Sequence, residues 1–288
     1  MGGLGSAMTL RRALAAAGVF FALALGVAGA RAGGFNVGCE IVSVDVAGTL
    51  ARVPVALRGA FDEILAVLAD QGVSPAELTD IEAGFDSALA DLNANLVAFP
   101  TLLPLPLLGG GIELSVPWVV IDGVRLSGGI LNGAIVRGLA AMGGVEVPDP
   151  LFQDAFDLDG ETASFTVDAD VSAWALSVEV VKRLDILVAA LNLSVGVDFL
   201  GGGATIQVDR QLPPEWIGGV DAALGALHLD GVGWSAVAGH LGLGLEVGFP
   251  FLRLYADVRL LQPFVQSSGW WDLRVGGLAG SVGVVIRF

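Results

Sequence analysis

Large apolar side chains alternate with small or polar ones along much of this chain. The last such segment, residues 278–288, has an apolar residue at almost every second position and ends on the aromatic Phe288. Successive side chains of a strand point to opposite faces, so the other face carries Ser281, Arg287 and glycines. A strand with these two faces is typical of a membrane barrel, where one face meets lipid and the other a lumen.

Similar alternation occurs in many upstream segments, several of them longer than the five or six residues usual in soluble strands. Tilted membrane strands need about 9–11 residues. The strongest candidates are 172–182, 187–199, 235–249 and 251–260, followed by 35–46, 99–107, 112–120, 124–130, 163–167, 204–208 and 223–229. The sequence therefore predicts an all-β fold, an antiparallel transmembrane β-barrel of about 10–12 strands.

Charged residues indicate which strand face points inward. Arg253, Asp257 and Arg259 share one face of the segment 251–260. Each charge would cost about 2–4 kcal/mol at the bilayer midplane, so this face must line a lumen. The polar faces of the candidate strands give the predicted lumen residues, which are Glu179, Asp198, His240, Glu246, Arg253, Tyr255, Asp257 and Arg259.

The segment 57–96 breaks the alternation, because its apolar residues recur at helical spacing. Ser74, Pro75 and Glu77 match an N-cap, a first-turn proline and the acid of a capping box, so a second helix begins near Pro75. We expect a helical hairpin at about residues 55–97, inserted between strands. It could plug the lumen, cover one mouth or pack at the periplasmic side, or it could close one end without any gating role.

The N-terminal segment resembles an export signal. Arg11 and Arg12 precede an apolar run at 13–28, and residues 30–32 form a small-x-small cleavage site. A membrane helix is the alternative, but the run is shorter than the roughly 20 residues a bilayer needs. A lipid anchor at Cys39 is disfavoured by Asn36, which stands where an aliphatic residue is needed. We therefore predict a signal peptide at residues 1–32 and a barrel at 33–288.

This signal predicts export by the general secretory route to the bacterial outer membrane. The C-terminal aromatic Phe288 is the expected barrel-assembly signal. The predicted partners are outer-membrane lipid, the barrel-assembly machinery and, for a transporter, a small hydrophobic ligand.

Composition limits the chemistry. The chain has one Cys and two His, so a disulfide, a transition-metal site or a catalytic triad has little to be built from, and we expect no enzyme, no cofactor and no metal. Four acids at 154, 157, 159 and 161 could bind a hard cation such as calcium. Their spacing lacks the full calcium-loop pattern, which favours a solvated acidic loop.

Acidity restricts the partners. The formal net charge is −16, and removing the signal peptide with its three arginines leaves 11 basic and 30 acidic residues, a net charge of −19. Nucleic acid is excluded as a partner. The acids either coat loops and lumen for solubility or repel anionic solutes from a pore.

Tryptophans give a weaker indication. Trp118, Trp174, Trp216, Trp234, Trp270 and Trp271 lie mostly near the ends of predicted strands. This is where interfacial girdles place aromatic rings. Buried packing is the alternative, and Trp216 follows a turn-like proline pair that favours a loop.

About two thirds of the chain resembles the fatty-acid-transporter-like outer-membrane barrels and, more closely, an uncharacterised outer-membrane barrel family in that broad group. The motifs are Phe99-Pro100 with Leu102 and Pro104, Gly-Gly-Gly-Ile-Glu-Leu-Ser-Val-Pro at 109–117, residues 122–127, Ser-Val-Glu-Val-Val-Lys at 177–182, and Val-Gly-Val at 195–197. The transporters' N-terminal Asn-Pro-Ala signature is absent, so their gating mechanism and ligand residues do not carry over.

Together, the pattern and the resemblance predict a passive outer-membrane channel or transporter for small solutes, with hydrophobic molecules as one candidate class. The alternative is a closed structural or surface-interaction barrel whose lumen is filled by side chains. A soluble periplasmic β-protein is a third possibility, and it would need shorter strands with polar outer faces.

Overall fold

The protein is described here by a computed structural model that covers residues 31–70, 72–116, 120–142, 152–158, 161–211 and 232–288, with a few positions between 217 and 225. The predicted signal peptide lies outside the described residues, apart from Arg31 and Ala32, which begin the first strand.

The described residues form nine strands in one antiparallel sheet. Their bounds are β1 Arg31–Asp45, β2 Leu102–Ser115, β3 Gly123–Leu131, β4 Phe152–Leu158, β5 Glu161–Ile186, β6 Ala189–Gln211, β7 Val232–Phe249, β8 Leu252–Ser267 and β9 Arg274–Arg287. β3 pairs with β5, and β9 pairs with β1. Eight strands therefore close a ring, while β4 pairs only with the first part of β5, beyond the ring.

The all-β barrel expected from the sequence is confirmed; the described residues form nine strands, against the ten to twelve expected for the whole chain. Some segments that the alternation predicts as separate strands belong to one continuous strand in the structure. Segments 163–167 and 172–182 both lie in β5, and 204–208 lies in β6 together with 187–199. Glycines 201–203 do not interrupt β6, because they take extended conformations in ladder pairs with β5. Candidate 223–229 falls almost entirely outside the described residues.

The two ends of the barrel differ in their connections. At one end, the turn end, strands are joined by the short connections 116–122, 187–188 and 250–251. At the other, the loop end, lie two helices between β1 and β2, the segment between β3 and β5 that contains helix α3 (Gly133–Met142) and β4, the connection 212–231, and the turn 268–273.

The predicted helical hairpin is present at the loop end. Helix α1 spans Ala47–Asp70 and helix α2 spans Pro75–Ala98. Ser74 caps α2 as expected: its Oγ accepts from the Glu77 N–H at 3.3 Å, and Glu77 Oε2 accepts from the Ser74 N–H at 3.0 Å. The rings of Phe61 and Phe85 stack with centroids 3.8 Å apart and join the helices.

The hairpin is held to the barrel at its base. Thr49 Oγ1 donates to the Trp271 carbonyl, and Arg52 lies 3.7 Å from Asp272 in the turn between β8 and β9. α2 has no buried residue, and the described interior cluster contains no side chain of α1 or α2. The lumen-plug alternative is therefore wrong. None of the described helices is both long enough and apolar enough to cross a bilayer.

An apolar band covers the outside of the barrel. Leu241 on β7 and Leu254 on β8 are 64% and 67% exposed, and both point outward. On β5 the outward side chains change from Ser, Thr and Asp at positions 164–172 to Trp174, Leu176, Val178 and Val180. The long strands therefore extend beyond the apolar band toward the loop end.

The tryptophans divide between the two predicted roles. Trp174 lies outward at the edge of the apolar band, as a girdle residue would, whereas Trp234 packs inside the barrel. Trp271 lies in the turn between β8 and β9. Trp118 and Trp216 lie outside the described residues, as does the side chain of Trp270.

Candidate functional site in the barrel interior

The inner face of the barrel has two layers. Toward the loop end, buried apolar side chains from all eight strands of the ring form a layer that we call the apolar ring. Its members are Val42, Leu107, Leu131, Ala173, Ala175, Leu200, Ala236, Ala238, Leu261, Val275 and Ala279. Ile135 and Val136 of α3 pack against it, so this short helix covers the ring at the loop end.

Between the apolar ring and the turn end, the inner face carries ionisable side chains, which we call the charged layer. Among the described side chains it contains six carboxylates and six cationic groups. They are Glu40, Glu113, Glu179, Asp198, Glu246 and Asp257, with Arg125, Arg183, His240, Arg253, Arg259 and Arg287. The interior is thus balanced in charge although the whole chain is strongly acidic.

Glu113 is the centre of the half nearest the turn end. Its carboxylate accepts from Arg125 Nη2 at 3.1 Å, from Arg287 Nη1 at 3.0 Å and from Arg183 Nη2. Since Glu113 is only 3% exposed, its charge depends on these partners in place of water.

Glu246 ties the C-terminal strand into the same half. Arg287 donates to both of its oxygens, a bidentate arrangement, with Nε 3.1 Å from Oε2. Asn192 Nδ2 also donates to Glu246, at 2.7 Å. Arg253 lies 3.7 Å from Glu246 and donates to Asp185 at the turn-end rim at 3.0 Å.

His240 lies between two carboxylates in the half nearest the apolar ring. Its Nδ1 is 2.5 Å from Asp198 Oδ2 and its Nε2 is 3.1 Å from Glu179 Oε2. An ionised carboxylate only accepts hydrogen bonds, so both ring nitrogens must donate and the ring is an imidazolium. Arg125 donates to Glu179 at 2.8 Å and thereby joins this half to the Glu113 cluster.

Arg259 completes the layer. It donates to Asp198 at 3.3 Å and to Glu40, and its Nε lies 3.4 Å from Asp257. Asp257 in turn accepts from Ser281 Oγ. Through the ion pairs and hydrogen bonds of the charged layer, side chains from all eight strands of the ring hold one another across the lumen.

All eight lumen residues predicted from the sequence lie on the inner face. Six of them are buried, and Tyr255 and Asp257 are half-buried beside a small cavity. The charged residues that were not predicted are Glu40, Glu113, Arg125, Arg183 and Arg287. The alternation of inward and outward residues could also have identified these five, because each lies two or four positions from another inward residue of its strand.

Asp122 forms a polar cluster at the turn end, between β2 and β3. Desolvation raises the pKa of its carboxyl, but hydrogen bonds from the Arg183 N–H at 2.7 Å and from Lys182 Nζ at 3.1 Å outweigh desolvation and lower the pKa. Asp122 is thus held as an anion that fixes the connection before β3 to the last residues of β5.

The interior offers little room for a ligand. The two cavities found in the charged layer have volumes of about 20 Å³ and 10 Å³. Within the described part of the chain, no group of three His, Cys, Asp or Glu side chains is arranged to hold a metal ion. The acids at 154–161 considered for calcium lie outside the side chains that the structure describes.

No protein-family model and no curated protein matches this chain. Among solved structures, Neisserial surface protein A is 8% identical, with 91% of this chain and 100% of that chain covered and a TM-score of 0.32. CarO of Acinetobacter baumannii is 14% identical, with coverages of 63% and 92% and a TM-score of 0.27. A major outer membrane protein from Thermus thermophilus is 16% identical, with the same coverages and a TM-score of 0.31. These TM-scores are too low to carry an argument, so the barrel architecture rests on the strand pairing of this chain.

Proposed function

We propose that this protein is a bacterial outer-membrane barrel with a closed lumen, and that it serves to anchor an acidic helical hairpin at the cell surface. The observation that carries the proposal is the interlocked charged layer, in which twelve ionisable groups pair across the lumen beneath an apolar ring. We expect such a lumen to leave no continuous path for a hydrated ion.

The apolar band supports the membrane location. In water, rows of exposed leucine and valine on neighbouring strands would form an apolar patch far larger than soluble proteins carry. In lipid, the same rows are the expected outer surface of a barrel, and the closed ring leaves no unpaired strand edge. Outer-membrane lipid is therefore the proposed surrounding, reached by the general secretory route and the barrel-assembly machinery.

The lengths of the connections at the two ends of the barrel support an orientation in the membrane. Outer-membrane barrels have short periplasmic turns and longer extracellular loops. By this rule the turn end faces the periplasm, and the hairpin faces outward. The described hairpin carries eight acids and two arginines, so it would present an acidic surface.

A non-catalytic role is part of the proposal. His240 has both ring nitrogens engaged by carboxylates and is buried beneath the apolar ring. With both nitrogens bonded to carboxylates inside the barrel, we expect His240 to hold the charged layer together and not to act as an acid or base on a substrate.

The orientation is tested by labelling. In a Cys39→Ser background, Ala90→Cys places a thiol on α2 and Val188→Cys places one on the turn 187–188. A membrane-impermeant maleimide added to intact cells should label the first and not the second, with both labelled after lysis. Labelling of only Val188→Cys in intact cells would reverse the proposed orientation.

The closed lumen is tested by conductance. The detergent-refolded chain, residues 33–288, should shift in gel mobility on boiling, as a stable barrel does, and should give no steps in planar bilayers. Reproducible conductance steps from heat-modifiable protein would contradict the closed lumen.

One observation favours a second candidate, passive transport of a small hydrophobic molecule. The inner wall at the loop end is apolar and rich in alanine, and among the described helices α3 is the one that packs against it. Transport would require α3 to leave the mouth and the ion pairs below it to separate. Uptake of a hydrophobic fluorescent probe into protein-containing vesicles, above that of empty vesicles, would support this candidate.

A further inference from the structure

Two small cavities adjoin each other inside the charged layer. Their volumes are about 20 Å³ and 10 Å³, and both are lined by Asn36, Arg125, Tyr255 and Asp257. The smaller one is also lined by Asn192. They lie between the Glu113 half and the Arg259 half of the layer.

Two amide oxygens at these cavities accept no hydrogen bond from the described residues. Asn192 is 6% exposed, and its Nδ2 donates to Glu246, which fixes the amide so that Oδ1 points away from that carboxylate. Asn36 is 9% exposed, and its Oδ1 is likewise buried without a donor. A buried acceptor without a partner is costly, so each oxygen indicates a donor that lies in the cavity.

The size and lining of the cavities indicate what kind of molecule donates to these two oxygens. A water molecule needs roughly 10–15 Å³ of cavity and two to four polar partners, and both cavities meet these limits. Carboxylates line both cavities beside Arg125, but each of them is paired with an arginine. Among the described residues, no three His, Cys, Asp or Glu side chains are arranged to hold a metal ion. The donor is therefore neutral and as small as water.

We propose that each cavity binds an ordered water molecule, one donating to Asn36 Oδ1 and the other to Asn192 Oδ1. These waters bridge the two halves of the charged layer and complete the solvation of its ion pairs. The inference goes beyond the closed lumen of the proposed function, because it concerns trapped water in the charged layer, whereas the apolar ring stays dry.

The test is protein–water NMR on the refolded barrel in lipid nanodiscs. Slowly exchanging water should give cross-peaks to the side-chain amide protons of Asn36 and Asn192. Gly244→Ala adds a methyl group 3.2 Å from Asp257 Cβ and 3.6 Å from Asn192 Cβ, so it should displace the water of the smaller cavity. We expect loss of the Asn192 cross-peak and retention of the Asn36 cross-peak.

Gly277→Ala is the matched control, because its added carbon meets nothing nearer than the Leu261 carbonyl at 4.0 Å, and both cross-peaks should survive. If Gly244→Ala does not fold, a crystal structure of the unaltered protein gives the answer, through water density within hydrogen-bonding distance of both oxygens. Absence of that density, absence of the wild-type cross-peaks, or an unchanged Asn192 cross-peak in folded Gly244→Ala would overturn the inference. Water contacts at Ala238 in the apolar ring would instead contradict the closed lumen.

Discussion

The charged layer and the helical hairpin both contain an ion surrounded by three opposite charges, one buried and the other exposed. The central ion is Glu113 in the lumen and Arg58 in the hairpin. The partners are Arg125, Arg183 and Arg287 for Glu113, and Asp62, Glu82 and Asp86 for Arg58. The side chain of Glu113 is 3% exposed and that of Arg58 is 35% exposed.

The two clusters have the same number of partners and differ in how deeply the central ion is buried. A buried ion has lost its hydration and depends on its partners, whereas an exposed ion regains water when a partner is removed. This difference also explains the distribution of charge. The lumen is balanced in acids and bases, while the hairpin tolerates eight acids against two arginines because water screens them.

The largest loss of stability is expected when a charged residue of the lumen is replaced. Glu113→Ala leaves three buried guanidinium groups short of a counter-charge and should destabilise the barrel by about 3–5 kcal/mol. The measurement is urea unfolding of the refolded protein in lipid vesicles. Asp185→Ala is the control, since Asp185 is 61% exposed at the rim, and it should cost about 0–1 kcal/mol. Equal losses for the two variants would contradict a role for burial.

An uncharged buried residue shows whether the cost in the lumen comes from burial itself. Leu200 is fully buried in the apolar ring, and Leu200→Ala should cost about 2–5 kcal/mol through lost packing and the cavity it leaves. Leu193→Ala on the outward face of the same strand should cost less, because lipid fills the space. Conductance should stay absent in Leu200→Ala, since the ion pairs below it are intact.

The comparison also shows how far the sequence could predict the site. A period of two assigns each residue to an inner or outer face, and the eight predicted lumen residues share the inner face of the structure. It does not identify which carboxylate meets which arginine. Glu40 and Arg259 are 219 positions apart in the chain, and their contact depends on the register of strands across the lumen.

The helical hairpin was easier to predict because its determinants are local. Ser74, Pro75 and Glu77 mark the start of α2 within four residues, and the structure begins that helix at Pro75. The number of strands was harder. Glycine-rich segments such as 109–111 and 201–203 lack the side chains that carry the alternation, so β2 and β6 were divided at those points.

A smaller effect is expected at the cap of α2, where the partners are exposed. Ser74→Ala removes the side-chain acceptor of the Glu77 N–H and should cost about 1 kcal/mol of local helix stability. The measurement is hydrogen exchange of the amides in the first turn of α2. Ser87→Ala in the middle of the same helix is the control and should leave those amides unchanged. Altered exchange in the barrel strands would contradict the local character of the effect.

The stability that this cap gives to the first turn of α2 should depend on pH. The hydrogen bonds between Glu77 and Ser74 lower the pKa of the Glu77 carboxyl in the folded hairpin. A lowered folded-state pKa means that the stabilisation is fully present above the ordinary glutamate pKa of about 4.3 and is lost as the pH falls through the folded-state value. Exchange of the first-turn amides, corrected for intrinsic rates, should rise over that window in the unaltered protein. It should rise less in Glu77→Gln, and an equal rise in both would exclude Glu77 as the titrating group.

The smallest effect is expected at Arg58, and it tests the comparison directly. Arg58→Ala removes the centre of a three-acid cluster, but its partners remain hydrated, so the protection of hairpin amides should fall only slightly and the barrel should be unaffected. Added salt should shrink even this difference, because mobile ions screen exposed pairs. Salt should not shrink the loss in Glu113→Ala, whose partners are shielded from solvent. A large, salt-independent loss in Arg58→Ala would mean that a partner or another part of the chain buries this face of the hairpin.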